Sequence, residues 1–414
     1  MLNAFSWVFL AALGAAAATR LWLAQRQVRH VLAHRDAVPA TFADAIPLAA
    51  HQKAADYTAA KNRLGMLEIA IGALLTLLFT LGGLLQWLSE LLARVLQGGS
   101  VLHGSALLLA VFFIQAAVGL PATLYRTFVI EERFGFNRMT LKLFLIDLVK
   151  HTLVGLALGV PLLVVVLWLM GIAGRYWWLY VWAVWIGYAA LMMMLYPKFI
   201  LPLFNKFTPM EDGELRARIA SLLERTGFKS SGLFVMDGSK RSSHGNAFFT
   251  GFGAGKRIVL FDTLVNRLQP PEVEAVLAHE LGHYKLHHIV KGMLVTAAMS
   301  FAVLLALGLV IGEDWFYRGL GVRTPGNAQA LALFLLVLPE FLFFLSPLAS
   351  LYSRKREFEA DQYAVGHAAA GDLVQALVKL YKDNAATLTP DPLHSAFYDS
   401  HPPAGTRIAR LRAT

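Results

Sequence analysis

His279 and His283 stand four residues apart, with Glu280 directly after the first, in the stretch VLAHELGHYKLHH. On a helix that spacing puts both imidazoles on one face, one turn apart. Two neutral imidazoles so placed can bind one Zn²⁺. Glu280 is rotated by about 100° and still borders the same site. There a carboxylate can take a proton from an attacking water and return it to a leaving amine. The pattern is H-E-x-x-H, a zinc metalloprotease motif. Gly282 offers a close-approach position beside the metal. His287 and His288 continue past the motif and are expected at a membrane interface, outside the ligand set.

A catalytic zinc takes three protein ligands and keeps one position open. The chain has no cysteine, and no third histidine follows at the spacing H-E-x-x-H-x-x-G-x-x-H. A carboxylate is the natural third ligand. The stretch SRKREFEADQYA supplies Glu357, Glu359 and Asp361. On a helix Glu357 and Asp361 share a face while Glu359 points away. One of the pair can bind metal, and the other can hold the N–H of a ligating histidine. Spacing leaves open which does which. Glu340, in LVLPEFLFFL, is a rival inside an apolar run, where a carboxylate is a functional candidate by default. It precedes Glu357 by about four to five helical turns, so it is expected to line a polar cavity instead. Asp147, Lys150 and His151 are spaced to pair with one another, as structural or cavity residues.

The elements that carry these residues follow from composition. Of 414 residues, 57% are hydrophobic and 15% charged, far from the roughly one-quarter charged share of soluble domains. Seven apolar runs are long enough to cross a bilayer, near 5–24, 65–92, 105–124, 143–172, 176–200, 289–311 and 328–351. No Lys or Arg precedes the first, and Arg20, Arg26 and Arg29 follow it, so it reads as a retained span and not a cleaved signal. The net charge of +10 reflects Lys and Arg gathered after the first, third and seventh runs, which places those segments in the cytoplasm. No nucleic-acid partner is expected; the lipid bilayer is.

Two regions are too polar to cross. The first, 205–288, opens with the helical stretch DGELRARIASLLERTG. The β-type runs GLFVMDG and KRIVLFD follow. Between them HGNAFFTGFGAGK reads as a third strand and a Gly-rich turn. Pro270, Pro271, Glu272 and Glu274 then open the helix that bears the histidines. The second polar region is the tail. The expected organisation is 1–204 with five spans, 205–288 a soluble insertion, 289–351 with two spans, and 352–414 a helical segment completing the site. The fold class is mainly α: a seven-span membrane bundle with a small α+β metalloprotease unit on the cytoplasmic side.

Several stretches, in order, resemble the CAAX prenyl protease 1 family of integral-membrane zinc metalloproteases. They are EERFGFNRMTLKLFLID, PLFNKFTPMEDGEL, SSHGNAFFTGFGAGKRIVLFDTL, EAVLAHELGHYKLHH, SRKREFEADQYA and SHPPAGTRIARL. The resemblance implies that His279, His283 and Glu357 are zinc ligands and Glu280 the general base. It implies that Asp361 partners a ligating histidine and that Asn246 helps hold the substrate backbone. It further implies that His401 faces the tetrahedral intermediate and that Arg407 supports the site. A ring of membrane helices around a water-filled chamber is the implied fold. The substrates it implies are peptides or proteins, prenylated ones included, cut to release a C-terminal tripeptide. The Ala- and Gly-rich composition points to a bacterial inner membrane. Two other readings are a quality-control membrane protease and a metal-binding transporter.

Overall fold

The computed structural model describes residues 2–250 and 256–413. Among them seven helices are long and apolar enough to cross a membrane. In the most apolar stretch of each, only 6–28% of residues are buried. Their Leu, Phe and Trp side chains therefore line surfaces that suit hydrocarbon.

Helices α1 (Ala4–Ala33) and α2 (Leu48–Phe79) form an antiparallel pair. Asn3 and Ser6 close a capping box at the start of α1. Thirty residues span about 45 Å, so both helices outrun a bilayer core of about 30 Å. The basic segment after the first apolar run is mostly helix, with a short connection over 34–47. The second expected run, 65–92, is two helices. α2 stops at Thr80, and Gly83, at φ 75°, caps the separate α3 (Leu84–Leu92). That positive φ suits glycine, and an apolar composition alone does not disclose it.

α4 (Val101–Tyr125) contains Pro121 and ends in a wide π turn, Arg126–Glu131. α5 (Leu141–Ile172) and α6 (Trp177–Leu195) complete the first five spans, and α6 runs through a second π turn into α7 (Leu201–Phe204). The sheet follows: β1 (Phe207–Pro209), then helix α8 (Glu214–Arg225), then β2 (Gly232–Met236), β3 (Ala247–Thr250) and β4 (Arg257–Phe261). Strand order is β1-β2-β4-β3, with β2 and β4 parallel and both outer pairs antiparallel. β3 is thus an edge among the described residues. β1, only three residues long, carries no pattern that the sequence reading used. The anticipated Gly-rich turn after β3 lies outside the described residues.

α9 (Asp262–Val265) leads to α10 (Pro270–Lys285), the helix of the two histidines. Spans six and seven are α11 (His288–Val310) and the run α13 (Asn327–Leu342) plus α14 (Ser346–Val365), with α12 (Asp314–Gly319) in the turn between them. α15 (Ala370–Asp383), α16 (Pro392–Tyr398) and α17 (Ala404–Arg412) close the chain. One core joins Ile219, Ile258, Leu260, Leu277, Leu281, Leu373 and Ile408, tying the sheet and α10 to the C-terminal helices. A second joins Phe9, Phe79, Leu107, Leu167, Tyr317 and Leu333 within the membrane helices.

Two carboxylates within the membrane helices, Glu340 and Asp147, are paired with guanidinium groups. Glu340 follows Pro339 inside α13 and accepts from Arg20 Nη1 at 2.9 Å. Both border a cavity of about 1090 Å³, in line with the cavity role expected for Glu340. Asp147 does not pair with Lys150 or His151. It accepts two hydrogen bonds from Arg241, at 2.7 and 3.1 Å, while Lys150 reaches the Leu203 carbonyl and His151 the Asp147 carbonyl. Helical spacing suggested a local cluster; a guanidinium from the connection between β2 and β3 wins because it satisfies both carboxylate oxygens at once.

Candidate metal centre

α10 begins at Pro270, with Gln269 and Glu272 closing a capping box. Glu272 also pairs with Lys379, and Glu274 with Arg225, so the acids of the first turn tie α10 to α15 and α8. Most of the helix is buried, and His279 is 6% exposed. The histidines therefore stand on a rigid element. α14 packs closely on α10 because Gly282 has no side chain. A Cβ there would lie 3.0 Å from Ala360 Cα and 3.1 Å from its carbonyl oxygen. The glycine expected beside the metal instead serves this contact, and the contact carries Glu357 to the histidines.

Three ligand residues converge. His279 Nε2 and His283 Nε2 are 3.2 Å apart. Glu357 Oε2 lies 3.4 Å from His279 Nε2, and Oε1 3.3 Å from His283 Nε2. Ligand atoms held about 2.0–2.1 Å from a tetrahedral ion are about 3.3 Å from one another. Glu357 Oε2 is buried with no hydrogen-bond partner, a lone pair left over for a cation. Donor set, spacing and orphaned oxygen all fit one zinc ion.

The outer nitrogens of both imidazoles are held. His279 Nδ1 is 2.9 Å from Asp361 Oδ1. Arg407, 5% exposed, donates to both Asp361 oxygens at 2.7 and 2.6 Å. Of the two carboxylates that helical spacing could not tell apart, Glu357 thus faces the cluster and Asp361 backs His279. His283 Nδ1 is 3.0 Å from His288 Nδ1, and His288 Nε2 is 3.0 Å from Glu359 Oε2. If Glu359 accepts from His288 Nε2–H, His288 Nδ1 becomes the acceptor for His283 Nδ1–H. Both ligating Nε2 lone pairs then point into the cluster.

This corrects the interfacial placement expected for His288. His287 is exposed, but its left-handed backbone, φ 59°, breaks the helix between α10 and α11. His288 folds back and is 1% exposed. The signal was the paired histidines at a helix break, which the reading of one continuous interface missed. Glu359 does point away from the metal cluster, and it meets His288 there.

Burial pushes the Glu280 carboxyl above its ordinary range, with His279 and His283 pulling the other way. No hydrogen bond from a described residue occupies it. Burial opposes the charged form of His279, but Asp361 and Glu357 outweigh it and raise its pKa. His401 stands at the open side, with Nε2 3.5 Å from Glu357 Oε2 and Nδ1 3.0 Å from Ser400 Oγ. Asn246 is exposed at the head of β3. Its Oδ1 accepts from Ala247 N–H and its carbonyl from Phe261 N–H. Among the described residues, no hydrogen bond joins it to the cluster. His279, His283, Glu357, Asp361, Arg407 and His401 thus come together in one place, Glu280 borders them, and Asn246 lies on the adjoining strand edge.

Comparison with known proteins agrees with this arrangement. Residues 27–206 match the family described as CAAX prenyl protease N-terminal, five membrane helices, and residues 209–414 match peptidase family M48. A CAAX prenyl protease 1 homolog of Arabidopsis thaliana is 36% identical over 91% of this chain and 90% of its own. The CAAX prenyl protease 1 of Saccharomyces cerevisiae is 38% identical over 72% of this chain and 69% of its own. The crystal structure of S. mikatae Ste24p superposes with a TM-score of 0.90 at 31% identity, covering 99% of both chains. With its seven apolar helices and histidine–carboxylate cluster, the chain is an integral-membrane metalloprotease, and it belongs to the CAAX prenyl protease 1 family.

Proposed function

We propose that one zinc ion is held by His279, His283 and Glu357, and that Glu280 is the general base of peptide hydrolysis. The observation that carries this is the convergence of two imidazole Nε2 atoms on a buried carboxylate with an unpartnered oxygen. Bound there, zinc supplies Lewis-acid polarisation of the scissile carbonyl and a water of lowered pKa. Glu280, its proton affinity raised by burial, takes the proton of the attacking water and passes it to the leaving amine. His401 donates to the oxyanion that develops on the carbonyl oxygen. Asp361, clamped by Arg407, and His288, held by Glu359, fix the ligating imidazoles. The free edge of β3 pairs with an extended peptide, and Asn246 holds its backbone at the head of that edge.

The substrate side stays with the family reading: peptides or proteins, with prenylated C-terminal segments the finer proposal. The charge bias of the loops supports an active site on the cytoplasmic side. Composition supports a bacterial inner membrane, whereas the relatives named above are eukaryotic. The division at 204/205, 288/289 and 351/352 is our proposal for domain organisation.

Mass spectrometry of peptides made by purified wild type and Glu280→Gln tests the reading, with farnesylated and unmodified substrates side by side. Defined cleavage by wild type, abolished in the variant and blocked by a chelator, is expected. Full cleavage by Glu280→Gln would remove the mechanism. Equal cleavage of both substrates would make prenyl recognition incidental.

A further inference from the structure

The six residues that lead into β3, the edge strand among the described residues, are Arg241–Asn246, and they are anchored from the membrane helices. Arg241 donates to both oxygens of Asp147 in α5 and to Asn205 Oδ1 at 3.0 Å. The connection between α4 and α5 lies alongside. Arg138 N–H donates to the Arg241 carbonyl at 3.1 Å, Ser243 N–H to the Phe136 carbonyl at 3.2 Å, and Asn137 bridges Ser242. His244 stacks on Phe136 with ring centroids 4.5 Å apart and planes 22° apart. Its Nε2 is 3.6 Å from Glu131, at the end of the π turn, and Glu131 also accepts from the Tyr57 hydroxyl of α2 at 2.5 Å. From the far side Asn384 Oδ1 takes Gly245 N–H at 3.3 Å and faces His244 Nδ1 at 3.2 Å.

None of Asp147, Glu131 and Tyr57 touches the metal cluster. A buried ion pair is weak evidence for net stability, and fixing one geometry is its better-attested use. Asp147 and Arg241 are such a pair, their side chains 8% and 20% exposed. An edge strand needs what such a pair can give. A slip of one residue exchanges its two faces, and each backbone hydrogen bond that a substrate then fails to make costs up to about tenfold in binding. The stretch EERFGFNRMTLKLFLID, prominent in the sequence yet without any catalytic group, supplies most of this anchor.

We propose that Asp147, Glu131 and Tyr57 are positioning residues for proteolysis: through Arg241 and His244 they fix the register of β3, the edge on which the substrate backbone pairs. This rests on the reading of β3 as the substrate-holding edge. The membrane helices thereby take part in substrate alignment.

The test uses full-length wild type, Asp147→Asn, Tyr57→Phe and the charge-swapped pair Asp147→Arg with Arg241→Asp. Each is assayed on a peptide and on its analogue with one interior backbone amide N-methylated, with zinc content measured alongside. In wild type, N-methylation at a pairing position is expected to raise KM about five- to tenfold, the loss of one hydrogen bond. Asp147→Asn is expected to raise KM for the unmodified peptide about tenfold, with kcat and zinc unchanged, and to shrink the N-methyl penalty. Tyr57→Phe should show the same pattern more weakly, and the charge swap should recover part of the loss. If N-methylation has no effect on wild type at any position, the edge reading fails and the positioning role falls with it. If wild type is sensitive but Asp147→Asn keeps the same KM and the same penalty, positioning alone is overturned. Loss of zinc or of kcat at unchanged KM would also overturn it, because that marks a general structural role. Should Asp147→Asn not fold, Tyr57→Phe, which removes one hydroxyl, decides by the same criteria.

Discussion

Glu340 and Glu357 belong to one helical run, Asn327–Val365, yet they meet opposite surroundings. Glu340 faces Arg20 at 2.9 Å, and that guanidinium also lies over the Phe343 ring at 4.5 Å. Glu357 faces two imidazoles whose outer nitrogens are already engaged, and its Oε2 has no hydrogen-bond partner. A carboxylate matched to a fixed guanidinium is already compensated. One that faces two imidazole lone pairs, with the guanidinium nitrogen Arg407 Nη1 only as close as 3.7 Å to its unbonded Oε2, is compensated in part, and a bound cation completes it. The contrast separates a carboxylate that stabilises a cavity wall from one that is ready to ligate.

The largest effect expected on the Glu357 side is on turnover. Glu280→Gln should lower kcat by about 10²–10⁴-fold while zinc content, read by elemental analysis, stays that of wild type. Next come the residues behind the ligands. Asp361→Asn and His288→Ala should each weaken zinc binding about 10–100-fold, measured by competition with a chelator. A smaller loss is expected for Glu359→Gln, which acts on His283 only through His288. On the Glu340 side, Glu340→Gln should leave zinc binding unchanged and lower the thermal midpoint, because Arg20 loses its partner. An Arg20→Met change in that background should return part of the midpoint; no recovery would show that the pair is not what holds the cavity wall.

The same contrast shows what could be read without coordinates. The i, i+4 histidines and the acidic pair Glu357 and Asp361 were legible because helical periodicity is local. Their assignment was not, since the choice depends on how closely α14 approaches α10 at Gly282. Arg20 is 320 residues from Glu340, and Arg241 is 94 from Asp147. No local period reports such partners. His288 was misjudged because one left-handed residue, His287, redirects it. The apolar run 65–92 looked like one span because hydropathy is blind to the break at Thr80–Gly83. Around Arg20–Arg63 the density of charge does not report that α1 and α2 continue as helices through most of the segment.

The most direct measurement is the zinc stoichiometry of purified Glu357→Ala and Glu340→Ala beside wild type, in the same detergent and with the same chelator wash. One zinc per chain is expected in wild type and in Glu340→Ala, with none retained in Glu357→Ala. Retention of a full equivalent by Glu357→Ala, or its loss from Glu340→Ala alone, would contradict the assignment of the third ligand.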